Sequence, residues 1–169
     1  MVTNRVEQSG ILVLDLSEVI TVEPIVKIAI KDFLDQNQIL REKSYRQQLK
    51  EKDWSVYENK NVVIVPLNDA IIPHWAYMLL TSYTSAFAKR LVVGDEAKMN
   101  EQFIDEGIAR LNLDEFKDKR VVLKGCGSEY INEVAYANAT KKLLPVVRSL
   151  MYGEPCSTVP VYKKVNQSL

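Results

Sequence analysis

Asn61-Val62-Val63-Ile64-Val65-Pro66-Leu67 is a β-branched run closed by a proline, the pattern of a strand buried on both faces. Pro73 and His74 then lead into residues 75–88, which are apolar nearly all round and read as a buried helix. Pro73 falls near the first turn, where its missing donor costs least. Leu91-Val92-Val93-Gly94 reads as a second buried strand, and residues 95–111 as an amphipathic helix with Met99, Phe103, Ile104, Ile108 and Leu111 on one stripe. Residues 119–124, Lys-Arg-Val-Val-Leu-Lys, read as a third strand. Strand alternating with helix is the signature of right-handed crossovers on a parallel sheet. The expected class is therefore α/β, a three-layer, mostly parallel sheet flanked by helices.

Toward the N-terminus, residues 10–16 form a short apolar run and residues 26–31 alternate with period two, so both read as strands. They are expected to pair as an N-terminal hairpin around Glu23-Pro24. Residues 41–51 carry helical spacing with Tyr45 and Leu49 on one face. A last helix is expected over 132–151, kinked or split at Pro145, which lacks the helical donor and clashes with the preceding turn.

At 169 residues the chain is about one domain long, and folding a chain of this size buries roughly 70% of its unfolded surface. A single α/β domain over 1–169 is expected, with no internal repeat. Basic and acidic residues balance at 22 each, which gives no electrostatic case for nucleic acid or an anionic membrane. The first ten residues hold no apolar signal core, no run of 18 apolar residues occurs, and the two cysteines suit a reducing compartment. The expected location is cytoplasmic.

Candidate chemistry lies in three segments, two beyond expected strand ends and the third after the last expected helix, which could return it to the same edge. Asp69 to Trp75 contains the lone histidine, His74; Lys124-Gly125-Cys126-Gly127-Ser128 contains one cysteine; and Tyr152-Gly153-Glu154-Pro155-Cys156-Ser157 contains the other, mounted between Pro155 and Pro160. In open α/β sheets, sites form beyond the carboxyl ends of the strands. Cys126, Cys156, His74 and Asp69 together would make a donor set for zinc or iron, although no CxxC or HxxxH pair fixes two ligands locally. Alternatively Cys126 or Cys156 is a reactive thiol with His74 as base. Gly125 and Gly127 strip bulk from around Cys126, and Lys124 supplies positive charge that favours thiolate. The same glycines are equally expected as plain turn residues.

Gly125 to Ser128 matches neither GxGxxG nor GxxxxGK[ST], but Gly127 and Ser128 at a helix start suit a small anion. Trp75, Glu154 and Ser157 complete the candidate ligand-binding residues. The bland reading makes Trp75 a core residue and His74 a surface residue at a helix start.

Val2-Thr3-Asn4-Arg5-Val6, Ile39 to Lys43, Asp69 to Met78, Lys119 to Cys126 and Met151 to Pro160 carry a resemblance to the domain-of-unknown-function 2480 family of small bacterial proteins. The resemblance spans nearly the whole chain and names no activity or catalytic residue. It implies an association with iron–sulfur cluster assembly and a protein partner in that process. The expected function is a metal-binding or sulfur-handling accessory factor using Cys126 and Cys156. The alternatives are a thiol-dependent enzyme on a small substrate and an interaction module with structural cysteines.

Overall fold

Alternate residues of each central strand meet helices across an apolar core, and this happens twice in the chain. A computed structural model describes residues 4–6, 10–36, 39–67, 71–125, 130–154 and 157–164. The elements are β1 (Asn4–Val6), β2 (Ile11–Leu14), β3 (Ile25–Ala29), α1 (Glu42–Glu51), β4 (Asn61–Val65), α2 (His74–Thr84), β5 (Arg90–Val93), α3 (Glu96–Ala109), β6 (Arg120–Lys124), α4 (Glu133–Leu143), β7 (Ser149–Glu154) and β8 (Ser157–Lys163). The fold is mixed α/β with mostly parallel strands and an N-terminal strand pair, as the sequence leads one to expect. The strands divide between two sheets, β1-β2-β6-β7-β8 and β3-β4-β5. Two compact units result, residues 23–99 and residues 1–22 with 100–169.

In the 23–99 unit, β3, β4 and β5 are all parallel. Ile28, Val62 and Ile64 project into one core with Tyr45 and Leu49 of α1 and Ala76 and Leu80 of α2. Tyr45 is fully buried, and its hydroxyl donates to the Ala76 carbonyl at 2.8 Å, which satisfies the polar atom. Burial pushes the ionisation of this phenol upward. At the strand starts, Glu23 accepts from Lys89 at 2.8 Å and from Asn61 at 3.2 Å, and lies 3.3 Å from Arg90.

In the split unit, β2, β6 and β7 are parallel, while β1 and β8 pair antiparallel at the two edges. Leu14, Val121, Leu123 and Leu150 share a core with Ile104 and Ile108 of α3 and Ala135, Ala139 and Leu143 of α4. Gly107 of α3 lies so close to the Val19–Ile20 backbone that a Cβ would sit 2.8 Å from the Val19 carbonyl oxygen.

Three expectations change. The N-terminal pair is β1 with β2, whereas β3, expected to pair with residues 10–16, pairs with β4. Each parallel partner buries the strand's apolar face over its own unit's helices, which a hairpin would not do. The last helix ends at Leu143, and residues beyond Pro145 turn into β7. Leu143, Val147 and Leu150 are spaced as on a helix, but a short apolar run also suits a buried strand, and periodicity cannot separate the two.

The third change is an internal repeat. At a constant spacing of 59 residues, β4 at Asn61–Val65 matches β6 at Arg120–Lys124, and α2 at His74–Thr84 matches α4 at Glu133–Leu143. Asn59 and Asp118, also 59 apart, both have φ 56°. Their amides donate to the carbonyls of Phe87 and Val146, at 2.9 and 2.8 Å. Both units run strand, 3-10 turn, helix, 3-10 turn, strand, helix, strand, so the 23–99 unit is a second copy inserted in the first. Identities such as Val62/Val121, Ala76/Ala135 and Tyr77/Tyr136 are too sparse to announce it.

Gly107→Ala is expected to cost about 1–3 kcal/mol, because the added methyl meets backbone that cannot step aside; thermal unfolding measures this. The hydrogen bond from Lys89 is the main cause that lowers the Glu23 carboxyl from 4.5 to about 2. Its stabilisation is therefore present above pH 4.5 and is lost as pH falls toward about 2. Glu23→Gln should flatten the acid limb of a stability–pH curve in that window, and an unchanged limb would refute the assignment.

Candidate functional site

Parallel strands of one sheet end together, so the residues after β2, β6 and β7 share one edge of the split unit. Leu14 is in register with Leu123, and Lys124 with Gly153. Asp15 and Lys124 close their strands with an ion pair of 2.7 Å. The Asp15 carboxylate also accepts from the Ser17 amide at 2.9 Å and the Ser17 hydroxyl at 2.6 Å, capping the 3-10 turn that follows β2. Burial opposes its ionisation, but the hydrogen bonds from Lys124 and Ser17 outweigh it and hold the carboxyl below its usual value.

Beyond Lys124 the backbone is pinned from one side. The Tyr136 hydroxyl of α4 donates to the Lys124 carbonyl at 2.9 Å, and the Tyr152 hydroxyl of β7 donates to the Gly125 carbonyl at 3.3 Å. The two rings meet edge to face, with centroids 5.3 Å apart. A Cβ at 125 would lie 3.2 Å from the end of the Tyr152 ring, so a larger residue there requires that ring to give by a few tenths of an ångström. The Gly125 amide donates to the Gly153 carbonyl at 3.3 Å, which extends the β6–β7 ladder one residue past the strand. Gly153 has φ +124°, and a Cβ there would be 2.5 Å from the Ser157 carbonyl oxygen, so this position demands glycine.

Glu154 ends β7 and Ser157 opens β8, and the two are register partners. Among the described residues, Glu154 Oε1 is a buried side-chain oxygen with no hydrogen-bond partner. Lys124, Glu154 and Ser157 are thus brought to one edge. Cys126, Gly127, Ser128, Cys156 and Asp69 lie outside the described residues.

His74 and Trp75 belong to the inserted unit, after β4 of the other sheet, so the expected single sheet edge for all three segments is replaced by two edges. His74 is exposed at the first position of α2. Trp75 is half-buried, meets Tyr45 edge to face at 5.9 Å and lies under Arg46 at 5.5 Å. Sequence reading passed over Asp15, Tyr136 and Tyr152, whose roles depend on strands far apart in the chain. The one local signal was Asp15 two residues before Ser17, a common cap spacing. Among the described residues, no group of three or more His, Cys, Asp or Glu side chains is placed to hold a metal, and no helix is long and apolar enough to cross a membrane.

Gly153→Ala should cost about 1–3 kcal/mol through strain and the clash with Ser157. Tyr152→Phe, which removes one hydrogen bond, should cost about 1 kcal/mol. Urea unfolding of both variants checks the order, and equal losses would show that the close approach of Gly153 is not limiting.

No curated protein and no solved structure matches the chain. A family model described as protein of unknown function (DUF2480) matches residues 1–164, and the chain belongs to that family.

Proposed function

We propose that the protein is a metal-binding or sulfur-handling accessory factor that works through Cys126 and Cys156, with iron–sulfur cluster assembly as its setting. The observation that supports this reading is the β6–β7 ladder. Cys126 follows the end of β6 by two residues and Cys156 follows the end of β7 by two residues, and these strands are parallel neighbours. Neighbouring strands run about 4.8 Å apart, so the described ends of the two strands, at Lys124 and at Gly153-Glu154, lie side by side.

Two thiolates suit zinc or iron, with the remaining donors supplied by carboxylate, imidazole or a partner protein. The same pair suits sulfur transfer. A Cys126 or Cys156 thiolate would attack the terminal sulfur of a persulfide donor, the new S–S bond forming as the donor's S–S bond breaks and its thiolate leaves.

Elemental analysis of chain purified without chelator is expected to find about one zinc or iron per chain, lost in both Cys126→Ser and Cys156→Ser. A metal-free chain that takes up one sulfane sulfur per molecule from a persulfide donor, at either cysteine, would select sulfur handling. A metal-free chain with both thiols inert would overturn the proposal in favour of an interaction module with structural cysteines.

A further inference from the structure

The two copies diverge where the first helix of each meets the turn after the first strand. At the 59-residue spacing α1 matches the C-terminal part of α3, so Tyr45 and Leu49 correspond to Ile104 and Ile108, each pair buried in its own core. Gln48 then corresponds to Gly107, and Lys52 to Leu111. The first strands match through their partners. Ile25 pairs with Asn61 and Ile11 with Arg120, so the turns that follow set Phe33 against Val19. Gly107 closes this joint with bare backbone: a Cβ there would be 2.8 Å from the Val19 carbonyl oxygen and 2.9 Å from the Ile20 Cα. In the inserted unit a side chain occupies the joint instead, and the Gln48 amide donates to the Phe33 carbonyl at 3.2 Å. The helix thus stands off the turn, and a cavity of about 390 Å³ opens beside Gln48, the size of a small-molecule site.

The lining is amphipathic. Ile28 and Phe33, both core residues, and half-buried Tyr57 supply the apolar wall. Charges of both signs surround it, Lys27 and Lys52 with Asp32 and Glu51. Lys27 is paired with Glu96 at 2.7 Å, and Glu51 accepts from the Gln47 amide. Lys52 is different. Its ammonium lies 5.8, 5.7 and 5.4 Å from the ring centroids of Phe33, Trp54 and Tyr57, and it makes no ion pair or side-chain hydrogen bond among the described residues. Asp53 beside it accepts from the Ser55 amide and hydroxyl instead. Three ring faces thus fix a cation without using its donors. The scaffold does not require that cation, because Leu111 fills the equivalent position against the core of the split unit.

We propose that this cavity of the inserted unit binds a free α-amino acid with an apolar side chain. The Lys52 ammonium takes the carboxylate, Asp32 takes the amino group, and the side chain lies on Ile28, Phe33 and Tyr57. An apolar acid without an amino group leaves the carboxylates of Asp32 and Glu51 unmatched, and an amine without a carboxylate leaves Lys52 unmatched, so the lining selects the zwitterion. The assignment is independent of the cysteine reading above.

The test is isothermal titration calorimetry of the full-length chain with L-phenylalanine, and with phenethylamine and 3-phenylpropionate, which lack its carboxylate and its amino group. One saturable site is expected for L-phenylalanine, with each analogue about tenfold weaker, the loss of one charge-assisted contact. Lys52→Leu installs the residue that the split unit carries, so folding is expected to survive, and circular dichroism verifies it. In that variant affinity for L-phenylalanine should fall about tenfold, while that for phenethylamine stays within about twofold. Asp32→Asn, at an exposed position, gives the second reading: it should weaken L-phenylalanine and leave 3-phenylpropionate no weaker. A parent chain that shows no saturable binding of L-phenylalanine, L-leucine or L-methionine overturns the proposal. Binding unchanged by both substitutions places the ligand elsewhere and overturns the site, and phenethylamine bound as tightly as L-phenylalanine overturns the ligand class.

Discussion

The parallel ladder between β6 and β7 is the constraint on which the split unit depends. Two parallel strands cannot be joined by a tight turn, because the chain must return to the same end of the sheet before the second strand begins. Residues 125–148 make that return, and α4 within them lays Ala135, Ala139 and Leu143 over Val121, Leu123 and Leu150. The same ladder brings Gly125 to Gly153, where two glycines let the backbones approach and Tyr152 reach across. Packing and candidate chemistry thus have one cause.

The inserted unit obeys the same constraint with different side chains. Its ladder, its α2 crossover and its left-handed residue before the first crossover strand recur at a fixed spacing. Matching the copies separates what a strand needs from what it merely carries. Valine or lysine serves equally at the last residue of the central strand, where the backbone alone makes the ladder and the side chain points past the core. Glycine does not vary at positions 94 and 153, because both have positive φ, 149° and 124°.

The candidate site was legible in part. Cys126, Cys156, Lys124 and Glu154 stand out by residue type and by position after apolar runs. Their neighbourhood was not legible, since Asp15 is separated from Lys124 by the whole inserted unit, and no local pattern announces a partner at that range. His74 attracted interest as the lone histidine, and it stands exposed at the first position of α2 in the inserted unit. Trp75 has Tyr45 and Arg46 against its ring.

Local signals in the amino-acid sequence determined the strands at 61–65 and 120–124, the helices at 42–51 and 96–109, and the α/β class, because β-branched runs and 3.6-residue periodicity act within a few residues. Tertiary structure alone decided the rest. The apolar spacing from Leu143 to Leu150 suits helix and strand alike, and it becomes β7 because Pro145 stops the helix and β6 offers an unpaired parallel edge. The partner of β3 and the nesting of one unit inside another were decided in the same way. Which strand supplies the hydrogen bonds is a matter of buried area across long chain separations, and that is written in no single stretch of residues.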